Sequence, residues 1–192
     1  MFNSDNPQGW YSRGYIPHLD TPGLLQFITF HLGDSLPKQT LLRLLADTQE
    51  DDADRFRRLQ RLLDAGHGAY CLRRCDIAEL VENALLHFDG TRYRLIGWVI
   101  MPNHVHALIE TRDGHSVGGI VQSWKAFTAR KANGILGRTG ALWDRDYFDR
   151  YIRDDHHLAA VIRYIEQNPV KAGLAAAPED WPYSSASQRQ DG

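Results

Sequence analysis

Apolar and charged stretches alternate along the chain and predict the order of its secondary-structure elements. Residues 24–32 (LLQFITFHL) form an apolar, β-prone run between two glycines, which predicts a first strand. Leucines at helical spacing, followed by a mixed-charge run, predict helix from Pro37 to about Ala65. Such a charge run is typical of the solvated face of a helix.

The pattern in the middle of the chain changes from helical to strand-like. An amphipathic stripe within residues 77–85 predicts a helix that ends before an Asp-Gly turn. Residues 93–101 and 105–110 are two β-like runs split by a Pro-Asn pair. They predict adjacent antiparallel strands joined by a hairpin-like connection.

The last third of the chain predicts a helix, a short strand and a final helix. Ser116 is a plausible N-cap for the first helix, and residues 147–152 form the short aromatic strand. Asp154 then offers an N-cap for a helix that runs toward Asn168, the residue before a proline. The complete order predicts an α+β fold, with helices packed on a mainly antiparallel sheet.

Composition and charge fit a single globular domain that meets nucleic acid, if at all, through a local patch. The 192 residues are 43% hydrophobic, which predicts one packed domain over 1–192, with residues 1–23 as an extended, Gly- and aromatic-rich arm. The formal charge of −2 does not resemble a uniformly basic nucleic-acid binder. Residues 112–171, however, carry ten Lys and Arg against seven Asp and Glu.

Cysteine usage and hydropathy predict a cytoplasmic protein without a membrane partner. Cys71 and Cys75 lack the second pair or nearby His pattern of a structural zinc site, so two reduced thiols are expected. No apolar run reaches the roughly 18 residues that indicate a membrane span. The N-terminus also has no signal-like apolar segment after a basic start.

Two histidines one residue apart form the first candidate site. His104 and His106 begin the second strand of the predicted pair and project from the same face, as two ligands of one ion would. The spacing alone is weak evidence, because such pairs on strands are more often exposed or hydrogen-bonded. Two enzyme classes are excluded: Leu108 replaces the third histidine of an H-x-H-x-H nucleotide hydrolase, and the chain lacks the repeats of a barrel amidohydrolase.

The final helix supplies a second candidate group. Its apolar positions, Leu158, Val161, Ile162 and Ile165, define a stripe that faces the core. Tyr164 and Asn168 lie together on the flank of that stripe, four residues apart. The ordinary interpretation of Tyr164 is a packed core tyrosine, and the alternative is a nucleophile beside a metal-capable amide.

Three sequence blocks together resemble a known family, the REP-associated tyrosine transposases, which are relatives of the single-tyrosine HUH transposases of small insertion sequences. The blocks are 98–106 (WVIMPNHVH), 164–174 (YIEQNPVKAGL) and 181–185 (WPYSS), with weaker support from 147–153 and 13–18. The resemblance covers mainly residues 90–186. It implies a ferredoxin-like or RRM-like HUH core, in which residues 37–67 are a helical insertion.

The resemblance also implies a chemistry for these residues. His104 and His106 would bind a divalent cation, Mg²⁺ or Mn²⁺, with Asn168 as the third ligand, and Tyr164 would attack a DNA phosphodiester. A hard cation stabilises the oxyanion charge that develops on the phosphate. The family forms a 5′-phosphotyrosine link and leaves a free 3′-hydroxyl, so the bond energy is kept for strand rejoining.

The implied partner is single-stranded hairpin DNA, bound by a monomer or by a homodimer that exchanges its last helix. Aromatic and basic side chains are the expected contacts, because bases stack on aromatic rings and phosphates attract cations. The candidates are Arg13, Tyr15, Lys125, Arg130, Arg150, Arg153 and Lys171. For each of them a solvated charge or simple packing is an alternative.

Two other functions stay open at the level of sequence. One is a non-catalytic binder of structured nucleic acid that keeps the fold. The other is a metal-dependent phosphodiesterase that uses water instead of tyrosine and would tolerate Tyr164→Phe.

Overall fold

The computed structural model describes residues 9–12, 17–21, 23–36, 39–40, 52–66 and 68–188. The strands are β1 (Gly9–Ser12), β2 (Pro17–Asp20), β3 (Leu25–His31), β4 (Tyr93–Ile100), β5 (His104–Thr111) and β6 (Phe148–Tyr151). The helices are α1 (Asp52–Asp64), α2 (Cys75–Leu86), α3 (Val117–Leu136), α4 (Asp155–Lys171) and α5 (Ser185–Gln188), with 3-10 turns at Cys71–Arg73 and Pro178–Asp180.

Strands β3 to β6 form one antiparallel sheet in the order β4-β5-β3-β6. With α2 between β3 and β4, and α3 between β5 and β6, this is the βαββαβ arrangement of ferredoxin-like folds. The predicted α+β architecture is therefore confirmed. Helix α1 lies outside that pattern, and the described part of the predicted N-terminal arm is the hairpin β1–β2.

The two faces of the sheet bury different layers, because successive side chains of a strand alternate between faces. On β5, Val105, Ala107 and Ile109 pack into a core with α2 and α3. The intervening positions face the other way, where Leu108 packs with Val161 and Ile165 of α4. His104 and His106 share the face of Leu108, so the pair lies beneath α4.

Helix α4 ends later than the sequence predicts. Proline disfavours helix in the residue before it, which placed Asn168 at the helix end. In the structure α4 continues through Pro169 to Lys171, and the amide of Ala172 still donates to the Asn168 carbonyl at 3.0 Å. Asn168 is therefore an internal residue of the last turn, 2% exposed, one turn beyond Tyr164.

A buried hydrogen-bond relay stabilises the layer of α2 and α3. The Tyr93 hydroxyl donates to the Leu85 carbonyl and accepts from Trp124 Nε1 at 2.9 Å, and both aromatic side chains are buried. We expect Tyr93→Phe to lower the free energy of unfolding by about 1–3 kcal/mol, because Trp124 would keep a buried, unpaired donor. Urea titration measures this, with exposed Tyr151→Phe as the control; equal stability of the two variants would contradict it.

No helix in the described part of the chain is long and apolar enough to cross a membrane.

Candidate active site

The structure brings the two candidate groups of the sequence together. Tyr164 projects from α4 onto β5, where its hydroxyl lies 3.5 Å from His106 Nε2. The two rings are 5.3 Å apart between centroids, and Phe27 of β3 packs against both. Tyr164 is thus a half-buried side chain at the edge of the core, as the helical pattern predicts.

The two histidines face each other at the centre of the site. Their Nε2 atoms are 3.1 Å apart, and both rings are at most 1% exposed. His104 Nδ1 is 2.7 Å from Asn103 Oδ1, and His106 Nδ1 is 2.8 Å from Thr29 Oγ1. Burial lowers the pKa of His106 to about 3 and that of His104 well below its ordinary value, so both rings are neutral at physiological pH.

The donors fit a hard divalent cation, although the described residues contain no cluster of three or more His, Cys, Asp or Glu that could hold a metal ion. Adjacent ligands of an octahedral ion at about 2.1 Å are about 3 Å apart, which matches the separation of the two Nε2 atoms. Asn168 Oδ1 is buried and has no hydrogen-bond partner. An amide oxygen of this kind is a suitable third donor for Mg²⁺ or Mn²⁺.

Helix α1 contributes two polar groups that the sequence did not single out. Gln60, only 4% exposed, accepts the Tyr164 hydroxyl at 2.8 Å and donates to Thr29 Oγ1 at 3.3 Å. Asp64 Oδ1 lies 3.7 Å from His104 Nε2. Helix α1 therefore contacts the site with the face opposite to the predicted solvated one.

The electrostatics of the site favour a protonated phenol. Burial, with a smaller contribution from the Asp64 carboxylate, raises the pKa of Tyr164 well above its ordinary value. Burial also raises the pKa of Asp64 to about 6, against the opposing charge of Lys171. Tyr164 is accordingly a hydrogen-bond donor in this structure, in agreement with its contact to Gln60.

A cavity of about 260 Å³ opens beside the histidines. Its wall includes Asp64, Tyr70, Arg73, Asn103 and His104. One side of the site therefore borders a cavity with a mixed polar and apolar lining.

The predicted DNA-contact residues lie on different faces of the protein. Arg150 is the cross-strand partner of Phe27, so it shares the face of the histidines, and the Lys171 ammonium is 5.5 Å from the Tyr164 ring centroid. Lys125 belongs to α3 on the opposite face, where its ammonium donates to the Arg145 and Asp146 carbonyls. Arg130 is exposed on α3, Arg153 is exposed just before α4, and Arg13 and Tyr15 lie outside the described residues.

The neutral histidines predict a loss of stability in acid. His104 and His106 have lowered pKa values in the folded protein, so the unfolded chain binds more protons below about pH 6.5. The metal-free protein should lose about 3 kcal/mol per pH unit from the pair as the pH falls below 6, with buried His31 adding to the loss and Asp64 opposing it.

Urea titrations in chelator at pH 7, 6 and 5 check this slope. His106→Gln should reduce it by about 1.4 kcal/mol per pH unit, because one titrating group is removed. Constant stability of the wild-type protein between pH 7 and pH 5 would contradict the buried, neutral state of the pair.

Comparison with known proteins finds similarity to transposases. Residues 76–168 match the family model of IS200-like transposases. A Haemophilus influenzae protein assigned to the REP-associated tyrosine transposases is 32% identical over 104 residues, which are 48% of this chain and 58% of that protein. The REP-associated tyrosine transposase of Escherichia coli K12 is 21% identical over 108 residues, 56% of this chain and 63% of that protein.

A solved structure, a REP-associated tyrosine transposase bound to a REP hairpin, has the same fold. It superposes with a TM-score of 0.59 at 18% identity, and the match covers 94% of this chain and 84% of that one. The chain spans about three-fifths of the length of the curated relatives it matches.

The family match contains His104, His106, Tyr164 and Asn168, and it begins after helix α1. Residues 76–168 thus match the model of the IS200-like transposases, and the resemblance of this chain to the REP-associated tyrosine transposases is confirmed.

Proposed function

We propose that this chain is a metal-dependent endonuclease and strand transferase for single-stranded hairpin DNA. The observation that carries the proposal is the contact of the Tyr164 hydroxyl with the paired nitrogens of His104 and His106. The unpartnered Asn168 oxygen lies one helical turn beyond Tyr164 on α4. A hydrolase that used water would need no tyrosine at this position. Two similar proteins are named REP-associated tyrosine transposases.

Tyr164 is the nucleophile in this proposal. Its oxygen loses its proton and forms a bond to the scissile phosphorus, while the bond from phosphorus to the 3′-oxygen breaks. The 3′-oxygen takes up one proton, which balances the proton lost by the phenol, and leaves as a 3′-hydroxyl. The product is a 5′-phosphotyrosine, which a 3′-hydroxyl of another strand can attack in the reverse direction. The reaction therefore joins strands without a nucleotide cofactor.

The side chains around Tyr164 assist in distinct ways. His104, His106 and Asn168 would hold the divalent cation, which supplies positive charge to the phosphate and to the developing phenolate when it is bound. The Lys171 ammonium, near the face of the Tyr164 ring, adds a fixed positive charge beside the nucleophile. Phe27 packs edge-on against that ring and limits its orientations.

Hairpin DNA is the substrate best supported by the relatives. The solved transposase of the same fold is bound to a REP hairpin, and Arg150 lies on the site face of this chain. Exposed Arg153 and Lys171 flank the two ends of α4, which places cations on both sides of Tyr164. A strand that crosses the site between them would present its backbone to the hydroxyl.

A covalent-capture experiment tests the proposal. Purified protein is mixed with Mn²⁺ or Mg²⁺ and with 3′-labelled single-stranded hairpins drawn from the DNA that flanks its gene. Label that stays with the denatured protein, and is lost in chelator, supports the proposal. Cleavage without an adduct would indicate attack by water, and tight binding without cleavage would indicate a binding module.

A further inference from the structure

The Tyr164 hydroxyl begins a continuous chain of hydrogen bonds with fixed directions. It donates to Gln60 Oε1 at 2.8 Å. The Gln60 amide nitrogen in turn donates to Thr29 Oγ1 at 3.3 Å. Thr29 accepts this hydrogen bond and keeps its own hydroxyl hydrogen for His106 Nδ1, 2.8 Å away.

The other end of the chain fixes the tautomer of His104. Asn103 Nδ2 donates to the Leu63 carbonyl at 3.1 Å, so the amide oxygen of Asn103 faces His104. His104 Nδ1 must donate to that oxygen at 2.7 Å. A neutral imidazole carries a single N–H, so His104 Nε2 has a free lone pair.

The centre of the chain then has one consistent arrangement. His104 Nε2 accepts a hydrogen bond from His106 Nε2, 3.1 Å away. His106 is therefore the Nε2–H tautomer, and its Nδ1 accepts from the Thr29 hydroxyl. Every link has a donor and an acceptor, as buried polar networks require.

Both ends of this chain of hydrogen bonds are held by residues of helix α1. Gln60 holds the end at Tyr164, and the Leu63 carbonyl holds the end at Asn103. Helix α1 lies outside the ferredoxin-like pattern and outside the family match, which begins at Asp76. In its described part, the segment interpreted from sequence as an insertion thus donates no hydrogen bond to the histidines itself, but it accepts one from the nucleophile and is linked by hydrogen bonds to each histidine through one intermediate residue.

We propose that helix α1 presets the tautomers of the histidine pair, with Gln60 and Thr29 as positioning residues. In the metal-free protein His104 carries its hydrogen on Nδ1 and His106 carries it on Nε2. A cation held by both Nε2 lone pairs would require the His106 hydrogen on Nδ1, and the Thr29 hydroxyl would then accept a hydrogen bond from His106 instead of donating one to it. No net proton is released, because one nitrogen gains the proton that the other loses.

The inference rests on the proposed function, which assigns the two Nε2 atoms as metal ligands. Its test needs no DNA. Long-range ¹H–¹⁵N spectra of protein labelled at histidine report which ring nitrogen carries hydrogen. In chelator, we expect one Nδ1–H and one Nε2–H ring from the pair, identified by their loss in His104→Gln and His106→Gln. With saturating Mg²⁺, both rings should be Nδ1–H.

Two variants test the positioning role. Thr29→Val keeps the shape of the side chain but removes the hydroxyl, and we expect the His106 preference for Nε2–H to weaken, since His104 is then its remaining partner, and Mn²⁺ affinity to fall about 10–100-fold. Gln60→Glu keeps an acceptor for Tyr164 and removes the donor to Thr29, and it should shift the His106 signals in the metal-free protein. Gln60→Met removes the contacts to both Tyr164 and Thr29, and it should lower Mn²⁺ affinity more than Gln60→Glu does.

Gln26→Met is the control for Gln60→Met. Gln26 is a buried glutamine on β3, the strand of Thr29, and its amide donates to the Leu19 carbonyl and not to Thr29. Its Mn²⁺ affinity should be unchanged. The inference is overturned if both rings share one tautomer in chelator. It is also overturned if folded Thr29→Val and Gln60→Met bind Mn²⁺ within about twofold of wild type. Loss of DNA cleavage alone bears on the proposed function and leaves these readouts intact.

Discussion

Tyr164→Phe is expected to abolish the covalent protein–DNA adduct and to slow strand cleavage at least about 1,000-fold, because the attacking oxygen is removed. The phenyl ring still packs against Phe27 and His106, so the fold and the affinity for hairpin DNA should be kept. Gel separation of labelled DNA from denatured protein measures the adduct, and a filter-binding titration measures the affinity.

Tyr183→Phe is the control for that experiment. Tyr183 packs against the core formed with α2 and α3, on the other face of the sheet. Its loss should leave the adduct at the wild-type level. Cleavage that persists in Tyr164→Phe at a comparable rate would show that water, or another side chain, attacks the phosphate.

His106→Ala is expected to lower Mn²⁺ affinity more than about 100-fold and to reduce adduct formation to the level seen in chelator. The side chain offers one of the two converging Nε2 atoms, and it is also the ring nearest to the Tyr164 hydroxyl. Calorimetric titration with Mn²⁺ measures the first effect independently of DNA. The capture assay measures the second.

The exposed His87 at the end of α2 provides a histidine control, because it lies on an element that packs on the other face of the sheet. His87→Ala should leave both readouts unchanged. Wild-type Mn²⁺ affinity in His106→Ala would contradict the role of the pair as ligands.

The sequence predicts the order of the elements and the two halves of the site, because both depend on short-range periodicity. Alternation on β5 places His104 and His106 on one face, and the spacing of four residues on α4 places Tyr164 beside Asn168. The contact between the histidine pair and Tyr164 depends on tertiary packing. Sequence supports it through the family resemblance, and the structure shows it as a contact of 3.5 Å.

The remaining polar groups of the site could not be predicted, because their sequence context indicates other roles. Thr29 lies within an apolar run that predicts a buried strand, and Gln60 lies within a run of charges that predicts a solvated helix face. Each becomes part of the site only when β3 and α1 pack against β5 and α4. The end of α4 lies about one turn later than the sequence predicts, because a proline disfavours helix at the residue before it without preventing it.

The most direct test of the account locates the DNA on the protein. The covalent complex is trimmed with nuclease, digested with trypsin and sequenced by mass spectrometry. The account predicts a nucleotide mass on Tyr164, in the tryptic peptide that ends at Lys171. A nucleotide mass on any other residue, or cleaved DNA with no modified peptide, would contradict it.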